Sequence, residues 1–359
     1  MRTLALGLMS GTSMDGIDTA IIDVNTHALI AGQTIAYPPQ LATQLTEVMH
    51  GARFDMRFYA QLNKEVGRAF ATAAAEVLAT VSEPLFVLGS HGQTLCHQPT
   101  GPIPYTWQIG CPFTIYEQLK VPVVYDFRSH NLAQGGQGAP LAPLYHQRVF
   151  APEKNYAVVN IGGITNISVC KENCPVIGYD IGPGNCLSDA WIATKYAVKY
   201  DKNGQLAATG QVVPQLLDAL LQDKFFHQAY PKSIGKEYFS LQWLLNHTEC
   251  QYLLHQDVQA SIIALTAQLI ATEIKKHLLP ANSVFICGGG VKNKTLLANI
   301  SQLLPDYNVA PTDARGISSD YLEAMMIAWL AWCRITNKKH HVASVLGGND
   351  EQLLGIICQ

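Results

Sequence analysis

The chain has 359 residues, more than the roughly 100–200 usual for one domain, so two lobes with separate cores and a binding cleft between them are predicted. A composition that is 48% hydrophobic and 14% charged excludes a disordered or fibrous protein. The formal net charge of -3, with Lys and Arg scattered, excludes a basic surface for nucleic acid or an anionic membrane and favours a small-molecule partner.

Compartment is predicted from what the sequence lacks. The N-terminal stretch has neither the apolar core nor the cleavage site of a signal peptide, and no apolar run approaches the roughly 20 residues that span a bilayer. The nine cysteines show no paired spacing of a zinc site. We therefore expect reduced thiols in a cytoplasmic protein without a membrane partner.

The first predicted element is a β-hairpin. An apolar segment (4–9) and a β-branched segment (17–24) flank the polar tip "SGTSMDG". Converging backbone N–H groups at such a tip can bind phosphate. The tip lacks the Gly-Lys-Ser/Thr of a P-loop, and a strand follows it where P-loop and Rossmann sites need a helix. The alternative is that Asp15-Gly16 only closes the hairpin.

The next elements complete a first lobe. An alanine-rich stretch (40–80) predicts helices, and "LFVLGSHGQT" predicts a short buried strand that ends near His91 and Gln93. A further strand-like run, "VPVVYDFRSH", ends near Arg128. The Gly- and Pro-rich stretch after it marks the lobe boundary, so the first lobe is predicted at 1–129 plus about 330–359 and the second at 130–329.

The second lobe repeats the opening pattern. The stretch "YAVVNIGGITNISV" predicts a hairpin around Gly162 and Gly163, and "SVFICGGGVKNKTLLANI" predicts a strand, the glycines 288–290 and a helix. Helical stretches elsewhere in this lobe make the fold class α/β. Three glycine turns at strand ends favour nucleotide binding over three coincidental turns.

Asp180 in "YDIGPGN" is the best candidate for a general base. It ends an apolar strand, and Gly182 and Gly184 after it let a ligand approach the backbone. The alternative is that Asp180 caps a turn or the next helix, although Asn185 is also placed for that cap. A carboxyl with an ordinary pKa of about 3.9 is already ionised at neutral pH, so no strong shift is needed.

Four other side chains are candidates for substrate contact, each with a structural alternative. Arg128 can grip a ligand with its forked donors or pair with Asp126. Glu323 stands among apolar residues and needs a partner, either Arg315 or a ligand hydroxyl, unless it closes a capping box with Asp320. The other two, His91 and Gln93, offer donors and acceptors, but a lone His is more often structural.

The motifs together resemble one family. In chain order "GLMSGTSMDGID", "GSHGQTLCHQP", "YDFR", "GQGAPL", "NIGGITNIS", "YDIGPGN", "PKSIGKEYF", "CGGGVKNKTL" and "YLEAMMIAWLA" are similar to the bacterial anhydro-N-acetylmuramic acid kinases, from residue 7 to about 332. That resemblance implies a two-lobed actin-like ATPase fold, ribonuclease H-like in each lobe, with an ATP cleft between the lobes, and a homodimer.

The resemblance also implies a reaction. Family members use ATP and water to open the 1,6-anhydro bridge of anhydro-N-acetylmuramic acid and to phosphorylate O6. The products are N-acetylmuramic acid 6-phosphate and ADP, and the reaction serves cell-wall recycling. Mg²⁺ is expected because metal usually neutralises charge in phosphoryl transfer, but the sequence shows no ligand set for it.

Residue roles are carried over by position. Asp180 matches the catalytic aspartate that takes a proton from the attacking water. Arg128 and Glu323 match positions that hold the anhydro-sugar, and His91 and Gln93 are placed with them. The nucleotide-binding positions implied are Gly11, Thr12, Ser13, Met14, Asp15, Gly16, Ile17, Asp18, Gly162, Gly163, Gly182, Gly288, Gly289 and Gly290.

Two other functions stay open on the sequence. A kinase for another anhydro-sugar, such as levoglucosan, keeps the fold and loses the groups that bind the lactyl and acetamido substituents. An ATP-dependent chaperone or scaffold has the same lobes, because fold alone does not settle function. The chain offers no separate peptide-binding domain, and the strand-end Asp180 with Arg128 favours chemistry.

Overall fold

The computed structural model describes residues 2–11, 16–49, 51–230, 232–235, 237–247 and 252–359. The chain forms two compact units, Met1–Tyr145 with Tyr321–Gln359 as unit 1 and His146–Asp320 as unit 2. These boundaries differ from the expected 129/130 and 329/330 because a complete C-terminal helix packs on the first sheet and carries its N-terminal turn into unit 1.

The helices and strands follow in three stretches of the chain. Up to the first boundary they are β1 (Leu4–Ser10), β2 (Ile17–Asp23), β3 (Ala28–Ile35), α1 (Pro39–Met49), α2 (Met56–Leu78), β4 (Leu85–Gln98), β5 (Tyr105–Ile109), α3 (Pro112–Leu119), β6 (Val123–Tyr125), α4 (Ser129–Ala133) and α5 (Ala142–Val149).

Those of unit 2 are β7 (Tyr156–Ile161), β8 (Ile164–Cys170), β9 (Ile177–Pro183), α6 (Cys186–Tyr196), α7 (Gln205–Thr209), α8 (Pro214–Leu221), α9 (Leu241–Leu245), α10 (His255–His277), β10 (Ser283–Cys287), α11 (Lys294–Leu303) and β11 (Asn308–Pro311). The last stretch returns to unit 1 with α12 (Leu322–Ile335), β12 (His340–His341), α13 (Ala343–Leu346), β13 (Glu351–Gln352) and β14 (Ile356–Cys358).

The sheet of unit 1 has the strand order β14-β6-β4-β1-β2-β3, with β5 paired to β4. The predicted opening hairpin is confirmed, since β1 and β2 pair antiparallel with Met9 opposite Asp18. The strands β4 and β6 then add in parallel. The strand predicted to end near His91 continues to Gln98, because its second half forms a hairpin with β5.

Helix α12 packs unusually close to this sheet, and two glycines make that possible. A Cβ on Gly7 would lie 1.8 Å from the carbonyl oxygen of Ala324, and one on Gly89 would lie 2.5 Å from that of Ile327. The helix is buried along most of its length. Its first turn, with Glu323, is thereby fixed beside β1 and β4.

The sheet of unit 2 repeats the arrangement with the order β11-β10-β7-β8-β9. The second predicted hairpin is confirmed by the antiparallel pairing of β7 and β8, and β10 and β11 follow in parallel. Both sheets therefore contain a three-strand antiparallel meander extended by two parallel strands, and the sheet of unit 1 has β5 and β14 in addition. The buried helix α10 covers this sheet and contributes much of its core. Within the described residues, no helix is both long and apolar enough to span a bilayer.

Candidate active site

The tip of the first hairpin is only partly described, because Thr12, Ser13, Met14 and Asp15 lie outside the described residues. The two glycines at its base, Gly11 and Gly16, are described. A Cβ on Gly16 would lie 2.8 Å from the carbonyl oxygen of Ile35, so this glycine allows a close approach to β3. Beside it, Asp18 accepts a 2.6 Å hydrogen bond from Thr34. The side chain of Ile17 is buried, which leaves only its backbone for a nucleotide.

Gln93 supports this tip from inside the unit. Its side chain is fully buried, and its Oε1 lies 2.8 Å from the hydroxyl of Ser10 and 3.3 Å from that of Tyr37. Its Nε2 donates to the carbonyl of Gly11 at 3.4 Å. Gln93 therefore holds the base of the hairpin at Ser10 and Gly11, and its predicted contact with the sugar stays a prediction.

His91, in the middle of β4, and Arg128, three residues after β6, form a hydrogen-bonded pair. The imidazole Nε2 of His91 accepts from Arg128 Nε at 3.0 Å and from its Nη2 at 2.9 Å, and Nη1 donates to the carbonyl of Gly138 at 2.7 Å. These contacts use three of the five guanidinium N–H donors. The expected alternative, a pair between Arg128 and Asp126, is replaced by an Asp126 contact to the Ser129 amide.

The protonation of the pair follows from burial. Burial lowers the pKa of His91 to about 3, and the positive charge of Arg128 acts in the same direction. The imidazole is thus neutral, with Nδ1 3.1 Å from the carbonyl of Gly92 as donor and Nε2 as acceptor. Burial lowers the pKa of Arg128 to about 10, opposed by Glu323, so the guanidinium stays charged at neutral pH. His91 therefore orients the guanidinium of Arg128 through two hydrogen bonds.

Glu323 lies in the first turn of α12 and is partly buried. Burial raises its pKa, Asp18 raises it further, and Arg128 opposes both. The capping box with Asp320 is wrong, because the helix begins at Leu322 after Tyr321 as N-cap. The predicted partner Arg315 is also wrong, since Arg315 pairs with Glu153 at 2.6 Å. The positive charge that favours the ionised form of Glu323 therefore comes from Arg128.

The tip of the second hairpin combines open space with a helix start. A Cβ added to Gly163 would have no neighbouring atom within 4 Å. The carbonyls of Gly162 and Gly163 accept from the amides of Asn185 and Cys186 at 2.8 and 3.2 Å, which ties the tip to the start of α6. The space beside Gly163 is therefore open, and the contact of this tip with a phosphate stays a prediction.

The glycines 288–290 have unequal roles. Gly288 has a φ of +79°, and a Cβ on it would stand 2.2 Å from Asn160 Oδ1. A Cβ on Gly290 would stand 2.3 Å from the side chain of Ile161. A Cβ on Gly289 would meet only Asn185 Nδ2, at 3.6 Å. Gly288 and Gly290 therefore allow close packing against β7, and the space beside Gly289 is more open; the contact of all three with a nucleotide stays a prediction.

Asp180 lies in β9 and is held by a loop. Its Oδ2 accepts the amide of Ile234 at 2.8 Å, and its own amide donates to the carbonyl of Lys232 at 3.0 Å. The cap alternative is not what forms, because Asn185 is the N-cap of α6. A Cβ on Gly182, on the same strand, would stand 2.9 Å from Leu269 and Phe226, so this glycine allows close packing, and its contact with a nucleotide stays a prediction.

The electrostatics of Asp180 differ from the sequence expectation of an ordinary carboxyl. Burial raises the pKa of Asp180 to about 7, and the amide of Ile234 and the charge of Lys232 only partly offset it. An acid with a pKa near the working pH can take a proton and return it, which suits a general base. Sequence reasoning missed Lys232, and its only signal was its place in "PKSIGKEYF".

The sequence predicts Mg²⁺ but does not show which residues bind it. Among the described ranges, no group of three or more His, Cys, Asp or Glu side chains is arranged to hold a metal ion. Mg²⁺ in phosphoryl-transfer sites commonly uses one or two carboxylates with substrate phosphates and water, so it requires no such group.

The two units define a class of protein. Five strands of unit 1, in the order β6-β4-β1-β2-β3, correspond to the order β11-β10-β7-β8-β9 of unit 2, with a glycine turn between the first two strands of each, as in actin-like ATPases and sugar kinases. The solved structure of (R)-2-hydroxyglutaryl-CoA dehydratase component A from Acidaminococcus fermentans has this fold, at a TM-score of 0.50 and 12% identity over 93% of this chain and 99% of that one.

The family is narrower than the fold. A model of the family described as "Anhydro-N-acetylmuramic acid kinase" matches residues 3–359. Proteins of that name from Legionella pneumophila (strain Paris) and Vibrio vulnificus (strain YJ016) are 45% and 39% identical to this chain, each over 99% of it and 98% of their own length. The chain belongs to the anhydro-N-acetylmuramic acid kinase family and is an enzyme of that kind.

Proposed function

We propose that this enzyme uses ATP and water to convert 1,6-anhydro-N-acetylmuramic acid to N-acetylmuramic acid 6-phosphate and ADP. Family membership along the whole chain supports the substrates. The observation that carries the chemistry is Asp180, a carboxyl in the middle of the edge strand β9 with a pKa of about 7 and one oxygen held by a backbone amide. Such a group is poised to accept a proton near neutral pH.

In the proposed reaction, hydrolysis of the C1–O6 bond supplies the nucleophile for phosphoryl transfer. Water attacks C1 of the sugar and loses a proton to Asp180, while the bond between C1 and O6 breaks and its electrons stay on O6. The released O6 attacks the γ-phosphorus of ATP, and ADP leaves with the electrons of the broken phosphoanhydride bond. The sugar gains one hydroxyl at C1 and one phosphoryl group at O6.

Each unit supplies binding groups of the required kind. In unit 1, Arg128 offers N–H donors and Glu323 an acceptor for sugar hydroxyl or carboxylate groups. In unit 2, the tip at Gly163 and the turn at Gly289 offer accessible backbone for phosphate and nucleoside. Mg²⁺ entering with ATP would neutralise phosphate charge, and Asp18 beside the first hairpin tip is a carboxylate suited to hold it. A cytoplasmic homodimer, as the family resemblance implies, is part of the proposal.

The test uses the wild type and Asp180→Asn with ATP, Mg²⁺ and the anhydro-sugar in oxygen-18 water. We expect ADP release with a sugar product that has gained one phosphate and one water, and oxygen-18 at C1 with none in the phosphate. The Asn variant should lose turnover. Oxygen-18 in the phosphate would contradict the order of steps, and turnover of levoglucosan in place of the anhydro-amino-sugar would support the other sugar-kinase assignment.

A further inference from the structure

Lys232 is a lysine placed where lysines are rarely found. Only 6% of its surface is exposed, and its ammonium donates to the carbonyls of Phe225 and Phe226 at 3.2 and 3.3 Å. It also lies over the rings of Phe225 and Tyr179, at 4.8 and 5.9 Å from their centroids. A buried charge of this kind needs partners to compensate for lost hydration, and the two carbonyls and the aromatic faces supply them.

The backbone of the same residue is tied to Asp180. The carbonyl of Lys232 accepts the amide of Asp180 at 3.0 Å, and two residues later the amide of Ile234 donates to Asp180 Oδ2 at 2.8 Å. The segment 232–234 thus lies beside the middle of the edge strand β9 and contacts the carboxylate of Asp180. With Oδ2 engaged, Oδ1 is the oxygen left to take a proton.

The side chain anchors that segment at its first residue. Without the ammonium, the carbonyls of Phe225 and Phe226 lose a charged donor, and the loop loses its bond to the turn that follows α8. The amide of Ile234 would then no longer be held against Oδ2. Because hydrogen bonds to charged groups are among the stronger ones in proteins, this anchor controls where the carboxylate points.

We propose that Lys232 is a positioning residue for Asp180: it fixes the 232–234 segment so that the Ile234 amide holds Oδ2 and Oδ1 faces the attacking water. The assignment rests on the proposed function for the identity of the water and the sugar. The hydrogen-bond geometry around Asp180 does not depend on it.

A second effect follows from charge. The groups that act on the Lys232 ammonium are Glu273 on α10, which attracts it, Lys276 on the same helix, which repels it, and Asp180. Glu273 accepts from the hydroxyl of Tyr179 at 2.7 Å, so it is itself fixed. The charge of Lys232 favours the ionised form of Asp180, against the burial that raises the pKa of this carboxyl.

The experiment compares Lys232→Met and Lys232→Arg with Lys275→Met, an exposed lysine of α10, as the matched control. We expect Lys232→Met to lose kcat at pH 7 by about tenfold or more and to move the acid limb of its pH profile up by roughly one pH unit, with little change in KM for ATP. The Arg variant, which keeps charge and donors, should restore most of both, and the control should match the wild type. A wild-type pH profile in Lys232→Met, or an Arg variant no better than Met, would overturn the inference.

Two readouts separate this inference from the proposed function. Hydrogen exchange of the Ile234 amide should be faster in Lys232→Met than in Lys275→Met, and the carboxyl carbon shift of labelled Asp180 should report its higher pKa. Both need folded protein but no turnover. An inactive wild type with these changes present would overturn the proposed function alone. An active wild type with unchanged exchange and unchanged carboxyl titration would overturn the role of Lys232 alone.

Discussion

Asp180→Asn is predicted to stabilise the folded enzyme while abolishing its activity, and the gain depends on pH. In the folded protein the pKa of Asp180 is raised to about 7, against an ordinary value of 3.8. When the folded state raises the pKa of a carboxyl, the contribution of that group to stability is fully present below its pKa in the unfolded chain. That contribution is lost as pH rises through its pKa in the folded protein. Between these values the unfolded chain has released a proton that the folded chain retains, so the wild type loses stability as pH rises.

The size of the effect follows from the shift. Each pKa unit corresponds to about 1.4 kcal/mol, so the shift of Asp180 sets a ceiling of about 4 kcal/mol over the whole window. Between pH 5 and pH 8 the difference in unfolding free energy, Asn variant minus wild type, should rise by about 2 to 3 kcal/mol. It should level off above pH 7, where the carboxyl is ionised in both states. An asparagine oxygen can still accept from the Ile234 amide, so the cap on that donor is retained.

The assay is urea unfolding of both proteins at pH 5, 6, 7 and 8, with the difference plotted against pH. Groups that titrate equally in both proteins cancel in the difference. Asp218→Asn on α8, an exposed acid outside the site, is the control for replacing a carboxylate with an amide. A flat difference for Asp180→Asn would refute the claim that burial raises the pKa of this carboxyl.

Two further predictions concern stability and binding. Gly288→Ala should lose about 1 to 3 kcal/mol of stability, because its Cβ meets Asn160 at a positive φ. Gly289→Ala, whose Cβ meets only Asn185, should keep the wild-type Tm and weaken ATP binding. Equal Tm values in the two variants would contradict this prediction. Arg128→Lys should raise KM for the sugar by about ten- to a hundredfold, since an ammonium cannot reproduce the forked contacts, and steady-state kinetics with unchanged KM would contradict it.

Much of the site was visible in the sequence because its signals are local. Both hairpins and the strand before Gly288 follow from alternating apolar and polar stretches that end in glycine, and the paired strands confirm them. Asp180, which was predicted at a strand end, lies in the middle of β9, whereas Arg128 was found because its charge follows the apolar strand β6. In an α/β sheet such positions tend to carry function, so the inference needs no knowledge of which strands are neighbours.

The errors share a cause, since each depended on contacts that are distant in sequence. The Asp320 to Glu323 spacing fits a capping box, but the close approach of α12 to Gly7 fixes where that helix lies on the sheet, and Asp320 pairs with Lys292 instead. Gln93 reads as a polar residue after a strand, and only the fold brings the Gly11 carbonyl to it.

The pKa of Asp180 was also beyond the sequence, and here the reason bears on how the enzyme works. An isolated Asp is ionised at neutral pH, so the sequence requires nothing more of it. The fold buries the carboxyl of Asp180, which disfavours its ionised form. The amide of Ile234 and the charge of Lys232, both in the loop 232–234, partly offset that effect. Because burial and compensation act on the same carboxyl from different parts of unit 2, its basicity is set by tertiary packing. A change in that loop should therefore retune the base without touching the strand that carries it.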